Sequence, residues 1–263
     1  MTLGRDPRRG SRPVLCPVNV SEGRAVDRLV AAGGRHVLDV HADPWHHRSV
    51  LWLAGEEAVR AVAAAAVATI DLRRHQGVHP RLGSVDVVPF VGGDDARAAR
   101  DAFCDWAWDE LRLPTLRYGD DVGRTLPEVR RVRGRSRRAH PTAGVAAVGA
   151  RGPLVAYNVW LADGADLGLA RRVASAVRRP GAVRALGLPV GGRVQVSMNL
   201  VDPLSFGPAD AFDAVAALAP VDGAELVGLV PEAVLLAVPE DRREPLDLRP
   251  DRTVEARLRA AGL

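Results

Sequence analysis

Two histidines in a short loop are the side chains of this sequence best suited to proton transfer. His75 and His79 lie in the run RHQGVHPRLGSVDVVPF, between an Ala-rich helical pattern and an alternating apolar strand. Gly77 and Pro80 disfavour a helix there, because glycine is flexible and proline cannot donate a backbone hydrogen bond. Imidazole ordinarily titrates near neutral pH, which suits an acid/base catalyst. On spacing alone, a structural or surface role for both rings stays equally open.

The hydrophobic periodicity predicts an α+β chain in which a βαββαβ pattern occurs twice. The first copy has strands at 14–20, 36–41, 49–53 and 84–91 and helices at 24–32 and 56–73, with Ser21 as a candidate N-cap. The second has strands at 154–161, 183–188, 193–201 and 225–229 and helices at 166–178 and 208–218. The simplest architecture that accounts for both copies is two tandem split βαβ, ferredoxin-like subdomains.

Between the two copies, the pattern predicts an extra helix at 94–111, a short strand at 115–118 and a loop-like linker at 120–144. The predicted domains are therefore residues 13–142 and 143–239, followed by a charged tail at 240–263. One or two helical turns are expected near 254–261 of that tail.

This topology predicts where the polar residues meet. In a split βαβ unit, strands one and two run parallel, with strand three between them and antiparallel to both. The end of strand one, the hairpin between strands two and three, and the loop before strand four then open at one edge of the sheet, which we call the rim. Ligands are commonly held at such strand ends. The rim segments contain five of the seven histidines: His41, His46, His47, His75 and His79.

Two kinds of chemistry fit such a rim. A histidine cluster could bind zinc, but neither an HExxH helix nor a cysteine pair accompanies it, so no metal is expected. The other interpretation is acid/base catalysis on an anionic substrate, with Arg48, Arg81 and Arg151 as candidates for holding carboxylates.

Composition narrows the classes of partner. The net charge is +4 and all 36 basic residues are arginine, but acidic residues are interleaved almost everywhere. The clear basic run, RRVRGRSRR at 130–138, is short and lacks aromatic residues for base stacking, which argues against a nucleic-acid partner. A solvated loop or an anionic small molecule explains this run as well.

The longest apolar run, at 61–70, is too short to cross a membrane, and no apolar segment typical of a signal peptide follows the basic N-terminus. Two cysteines are too few for a disulfide framework, so a cytoplasmic setting is expected.

Several segments resemble the glutamate formimidoyltransferases, the formiminotransferase family. The most specific is HQGVHPRLGSVDVVPF. The others are CPVNVSEGR, LDVHADPWHHRSV, RTLPEVR, VGARGPLVAYNVWL, VQVSMNL and AELVGLVP. The resemblance covers most of residues 13–238. It implies two α/β subdomains with folate bound between them, a homodimer, and transfer of a formimidoyl group from N-formimidoyl-L-glutamate to N5 of tetrahydrofolate. Tetrahydrofolate is then the co-substrate, and no metal is required.

The resemblance also assigns residues. His79 is similar to the family's catalytic acid/base, and the HPTAG segment aligns with the end of its folate-binding stretch, which implicates His140, Pro141, Thr142 and Gly144. From position, we expect Arg48 and Arg81 to contact carboxylates or developing charge, and Asn19 and Asn158 to orient the substrate. The hairpin adds three substrate-binding candidates: Asp39, His41 and His47.

The sequence also departs from the family pattern. His41 stands where members usually carry an acid, His47 where they usually carry Asn, and the linker has RVRGRSRR in place of an acidic, aromatic folate loop. Two alternatives therefore remain. One is a diverged relative that acts on another amidine or acyl donor, with or without a metal. The other is a non-catalytic protein that binds a folate-like or anionic ligand.

Overall fold

Two β-sheets, each covered by helices on one face, make up the chain in the computed structural model, which describes residues 13–77, 80–131 and 139–263. The first βαββαβ unit comprises β1 (Leu15–Val20), α1 (Asp27–Gly33), β2 (Val37–Asp43), β3 (Arg48–Ala54), α2 (Glu56–Thr69) and β4 (Val85–Val91). The second comprises β7 (Val155–Leu161), α5 (Leu167–Val177), β8 (Val183–Val190), β9 (Arg193–Leu200), α6 (Pro208–Ala216) and β10 (Val221–Val227).

The remaining elements lie between and after these units. The connection contains α3 (Asp94–Leu111), β5 (Thr115–Tyr118), α4 (Leu126–Arg131) and β6 (Ala146–Arg151). The C-terminal segment contains α7 (Glu232–Leu236), α8 (Glu240–Arg243) and α9 (Val254–Ala261). Short 3-10 helices occupy Gly34–His36, Asp120–Val122 and Pro250–Arg252. Among the described segments, no helix has the length and apolar composition that a bilayer crossing requires.

The strand order confirms the predicted fold class. The first sheet runs β2-β3-β1-β4-β6-β5 and the second runs β10-β7-β9-β8. In the first sheet, β3 lies between β1 and β2 and is antiparallel to both, and β9 takes the corresponding place between β7 and β8. Both units therefore have the split βαβ arrangement that the alternating pattern predicted.

Strand β6 is the main element that the sequence did not predict. It pairs in parallel with β4 and β5, so the first sheet continues to Arg151. The boundary between the two domains at residue 143 stays a prediction. Five of its six residues are buried, which removes the polar alternation that identifies a half-exposed strand. In a sequence, a parallel strand buried inside a sheet shows only a short apolar run. In β6 that run consists of small residues.

Two local expectations were wrong. Ser21 does not cap a helix, because its hydroxyl donates to the carbonyl of Gly83 (2.8 Å) and α1 begins only at Asp27. The linker is not entirely a loop, because α4 occupies part of it. The buried hydroxyl of Ser21 therefore joins β1 to the loop before β4.

Side-chain alternation separates a helix-covered face from an open face in each sheet. In β1, Val18 and Val20 pack into the core beneath the helices, so Asn19 lies on the open face. In β7, Tyr157 and Val159 pack into the core of the second sheet, so Asn158 lies on its open face.

The two open faces face each other along one side. His41 Nε2 of β2 lies 3.7 Å from Glu225 Oε1 of β10. Beside them, Trp52 of β3, Leu229 and Leu258 of α9 share one hydrophobic cluster. The C-terminal helix, expected as a turn or two within a tail, is thus packed against the first sheet and contributes to the core.

Candidate functional site

The three predicted rim segments meet in the part of the chain that the structure describes, with His47 between them, whereas His41 lies toward Glu225 of the facing sheet. One ring nitrogen of His47, Nε2, lies 3.1 Å from Glu22 Oε1, just beyond β1. The other, Nδ1, lies 2.8 Å from the carbonyl oxygen of Gln76, in the loop before β4. The ring also stacks on His75, with 4.1 Å between ring centroids. One side chain therefore connects all three segments of the rim.

These contacts place an acceptor at each ring nitrogen of His47, a carbonyl oxygen at Nδ1 and a carboxylate oxygen at Nε2. Burial would raise the pKa of Glu22, but the backbone N–H groups of Arg24 and Ala25 and the charge of His47 hold it below its ordinary value. The rim therefore contains a carboxylate, Glu22, paired with the ring of His47.

The ring of His75 has a cationic partner. Arg81 donates from Nη1 to His75 Nδ1 (2.5 Å) and from Nη2 to the carbonyl of Gly77 (2.5 Å). A guanidinium can only donate, so Nδ1 of His75 carries the lone pair and the proton lies on Nε2. Burial, together with the charges of Arg81 and His47, lowers the pKa of His75. The ring is therefore neutral at pH 7.

Gly77 is required by this packing. A Cβ there would lie 2.7 Å from both the carbonyl oxygen of His46 and the Cβ of His47. Any side chain at this position would push the loop away from the hairpin. His46 itself has its ring nitrogen Nδ1 on Asp43, within the same hairpin.

A buried carboxylate fixes the base of the rim. Asp86 of β4 is fully buried, and its Oδ2 binds Arg48 Nη1 and Arg130 Nη2, the latter at 2.8 Å. Its other oxygen accepts the backbone N–H of Leu82 at 2.6 Å. Burial alone would raise the pKa of Asp86, but the charges of Arg48 and Arg130 and the Leu82 N–H lower it. The anion therefore joins β3, α4 and the loop that follows His79.

The same arginines reach further along the rim. Arg48 Nη2 donates to Asn19 Oδ1 at 2.8 Å, and Arg130 Nη1 donates to the carbonyl of Pro80 at 2.9 Å. Arg48 therefore has protein partners at both ends of its guanidinium.

The HPTAG segment packs directly on the loop before β4. Leu72 N–H donates to the carbonyl of Thr142 (2.8 Å), and Ser84 N–H donates to that of Ala143 (2.8 Å). The turn is closed by paired backbone hydrogen bonds between His140 and Gly144, 2.9 and 3.0 Å long. Its second residue, Pro141, is exposed.

The ring of His140 stabilises this turn from within. Nδ1 accepts the backbone N–H groups of Thr142 (3.3 Å) and Ala143 (3.0 Å). Nδ1 therefore carries a lone pair, and the ring holds the turn in place.

The other predicted site residues lie away from the rim loop, on the facing sheets. Asn158 Nδ2 donates to Glu225 Oε2 at 3.0 Å, and His41 approaches the other oxygen of Glu225. Asp39 lies 3.8 Å from Arg257 of α9, and burial raises its pKa despite nearby arginines. The structure thus brings Asn19, His47, Arg48 and Arg81 together and puts the remaining three on the inter-sheet side.

His79, the predicted catalytic residue, lies outside the described residues, as does Val78. Its nearest described neighbours are Gly77 and Pro80, whose carbonyls are held by Arg81 and Arg130. Within residues 13–77, 80–131 and 139–263, no group of three His, Cys, Asp or Glu side chains is arranged to hold a metal ion.

Sequence reasoning missed Asp86 and Glu225 as members of this network. Asp86 did give a signal, because a lone acid inside the otherwise apolar strand SVDVVPF must find buried partners. Glu225 gave none, because its partners come from distant segments, whereas Glu22 follows strand one, at the predicted rim.

Comparison with known proteins defines the class. Residues 13–151 match the family model described as formiminotransferase domain, N-terminal subdomain. The chain belongs to the formiminotransferase family, and it is an enzyme of the transferase class.

Among its relatives, a protein of Streptococcus pyogenes serotype M1 named glutamate formimidoyltransferase is 33% identical, over 86% of this chain and 92% of the relative. A Thermoplasma acidophilum protein of the same name is 31% identical, over 86% and 90%. The formimidoyltransferase-cyclodeaminase of Sus scrofa is 32% identical over 86% of this chain but only 51% of its own length.

Replacing Asp86 tests the buried anion. Asp86→Asn keeps the shape but leaves Arg48 and Arg130 without their counter-charge, so we expect unfolding in denaturant to become easier by about 3 kcal/mol. Asp109→Asn, at an exposed position of α3, is the matched control and should shift stability by less than about 0.5 kcal/mol. Equal, small shifts for both variants would contradict the role given to Asp86.

The depressed pKa of His75 predicts a pH dependence. Below about pH 6.5 the unfolded chain binds a proton at this histidine more readily than the folded chain does, so stability is complete above that pH and falls below it. In urea unfolding between pH 8 and pH 5.5, His75→Gln should lose less stability on acidification than the wild type. His36→Gln, away from the rim, should retain the wild-type slope. An unchanged slope in His75→Gln would contradict this interpretation.

Proposed function

We propose that this enzyme transfers the formimidoyl group of N-formimidoyl-L-glutamate to N5 of tetrahydrofolate. The observation that carries the proposal is the hydrogen bonding between two segments, the loop at 72–84 and the HPTAG turn at 140–144. The family resemblance implies catalysis for the first and folate binding for the second. The names of the bacterial and archaeal relatives support the same donor.

In this mechanism, His79 is the acid/base catalyst. As N5 of the folate attacks the amidine carbon, a new C–N bond forms and His79 accepts the proton released from N5. The bond from that carbon to the glutamate nitrogen then breaks, and His79 returns the proton to the leaving amine. Both transfers need a group with a pKa near neutrality within hydrogen-bond reach. The fixed carbonyls of Gly77 and Pro80, on either side of it, support a defined position for the loop.

The arginines have separate roles in this proposal. Because Arg48 already binds Asp86 and Asn19, we infer that it shapes the pocket and orients Asn19 toward substrate. Arg81 holds His75 neutral and adds positive charge beside the reacting groups. Asn158, His41 and Asp39 line the facing sheets, where the folate would extend. His47 stands where an Asn is usual, and its two ring nitrogens hold Glu22 and the loop at Gln76 in place beside the donor substrate.

Substituting His79 tests the assignment. His79→Ala should reduce the formation of formimidoyl-tetrahydrofolate by roughly 10²- to 10⁴-fold, which is typical of a lost acid/base group, as measured by absorbance with both substrates saturating. His36→Ala, at a histidine outside the site, should keep wild-type turnover. If the wild type binds tetrahydrofolate without turnover, the protein is a ligand-binding relative. Turnover with a different amidine or acyl donor would assign it to a diverged reaction.

The proposed setting is that of a cytoplasmic homodimer that acts on small molecules, with no nucleic-acid or membrane partner and no resident metal. Light scattering of the purified protein should give twice the chain mass of 28.0 kDa. A mass of one chain across micromolar concentrations would overturn the dimer and leave the reaction untouched.

A further inference from the structure

Glu225 is a carboxylate with one oxygen held by the protein and one oxygen available to a ligand. Ala224 and Leu226 pack against the core of the second sheet, so Glu225 lies on its open face. Its Oε2 accepts a hydrogen bond from the buried amide of Asn158 at 3.0 Å. Its Oε1 accepts none from any residue that the structure describes, and His41 Nε2, at 3.7 Å, is beyond hydrogen-bond range. The carboxylate is therefore oriented by one oxygen and can accept through the other.

The charge of Glu225 is compensated less than the charges of the neighbouring acids. Asp86 is fully buried and bound by two arginines. Glu22 and Asp43 each accept two backbone N–H groups and lie against a histidine ring. Asp39 lies 3.8 Å from an arginine of α9, and its side chain is 16% exposed, against 31% for Glu225. Among these acids, Glu225 is therefore the one best suited to a cationic ligand.

The strand register puts this carboxylate close to the rim. His41 pairs with Val50 of β3, and Val50 pairs with Asn19 of β1, so these three residues form one row across the open face. At about 4.8 Å per strand, His41 is about 10 Å from Asn19. Along β2, Asp43 at the rim hairpin is two residues from His41, or about 7 Å. A ligand the size of an amino-acid derivative can therefore contact both Glu225 and the rim.

The donor of the proposed reaction has a cationic group that such a carboxylate can bind. An amidine is a strong base and carries an extra proton at neutral pH. The amidinium is planar, and its nitrogens present N–H donors in a fork, as a guanidinium does. A carboxylate binds a fork of this kind through short, charge-assisted hydrogen bonds. The reacting group of the donor thus matches Glu225 in both charge and hydrogen-bonding type.

We propose that Glu225 binds the amidinium of the donor and thereby selects an amidine over a neutral formyl donor. This rests on the proposed function. Asn158 fixes the direction of the carboxylate, and Oε1 accepts from the amidinium at the contact between the two sheets. Donor binding then requires both subdomains, because the rim belongs to the first sheet and Glu225 to the second.

Two ligands that differ in charge test this role. N-formyl-L-glutamate has the shape of N-formimidoyl-L-glutamate, but a neutral formyl oxygen replaces the terminal nitrogen. Glu225→Gln should weaken the binding of formimidoylglutamate roughly tenfold, as expected for a lost charge-assisted hydrogen bond, and leave formylglutamate binding unchanged. Dissociation constants are measured by isothermal titration calorimetry of the full chain without pterin. Glu57→Gln, at an exposed position of α2, is the matched control and should change neither constant.

A double variant separates the charge of Glu225 from its structural contacts. In the Glu225→Gln background, His41→Asp puts a carboxylate on the other side of the same contact. We expect this double variant to recover part of the lost affinity for formimidoylglutamate, because a negative charge returns while position 225 stays neutral. Affinity as weak as that of Glu225→Gln alone would overturn the role of the charge.

The remaining outcomes distinguish the amidinium site from the reaction. Equal weakening of both ligands by Glu225→Gln overturns the site, as does a wild type that binds both ligands equally well. If the wild type forms formimidoyl-tetrahydrofolate while Glu225→Gln keeps wild-type affinity for the donor, the site is overturned and the proposed function stands. A wild type that shows the expected charge preference but transfers nothing to tetrahydrofolate supports the site and overturns the proposed acceptor. Binding of neither ligand overturns both.

Discussion

The rim depends on one buried anion. Asp86 is the second residue of the apolar strand β4 and is fully buried, and a carboxylate there is tolerated only when every oxygen has a donor. Its three donors come from β3, from α4 and from the loop after His79. Because these segments are distant in the sequence, satisfying one charge requires all of them to be in place together. Arg130, one of these three donors, also donates to the carbonyl of Pro80 and so holds the loop at that residue.

The second constraint is the stacking of the two open faces. Each ferredoxin-like unit buries one face of its sheet beneath helices. The other face of the first sheet carries both polar residues and smaller apolar clusters. At one side, His41 and Glu225 meet across the gap, and the cluster of Trp52, Leu229 and Leu258 keeps the sheets together. The polar residues between these sheets are therefore shielded by protein on both sides, and such a layer strengthens electrostatic interactions with a bound ligand.

Much of the fold could be predicted from sequence because hydrophobic period and turn residues act locally. The helix at 94–111 and the strand at 115–118 have the predicted bounds, and the split βαβ topology correctly brought Glu22, His47 and Gln76 together. The missing strand, β6, is different: its small, buried residues carry no alternation, and only its pairing with β4 and β5 defines it. Ser21 likewise matched a helix cap by type, but a carbonyl 62 positions away was the better acceptor.

The candidate site was predictable in its location but not in its protonation states, which follow from tertiary partners. Both nitrogens of His47 are engaged by acceptors, and Nδ1 of His75 is engaged by a guanidinium while its Nε2 is buried. A catalyst must gain and lose a proton in each cycle, so a ring with both nitrogens committed to structural contacts is poorly suited to that work. The rings of His47 and His75 instead hold the segments of the rim in place. This division of roles leaves proton transfer to another group, and the proposed catalyst His79 lies in the chain between Gly77 and Pro80, whose carbonyls accept from Arg81 and Arg130.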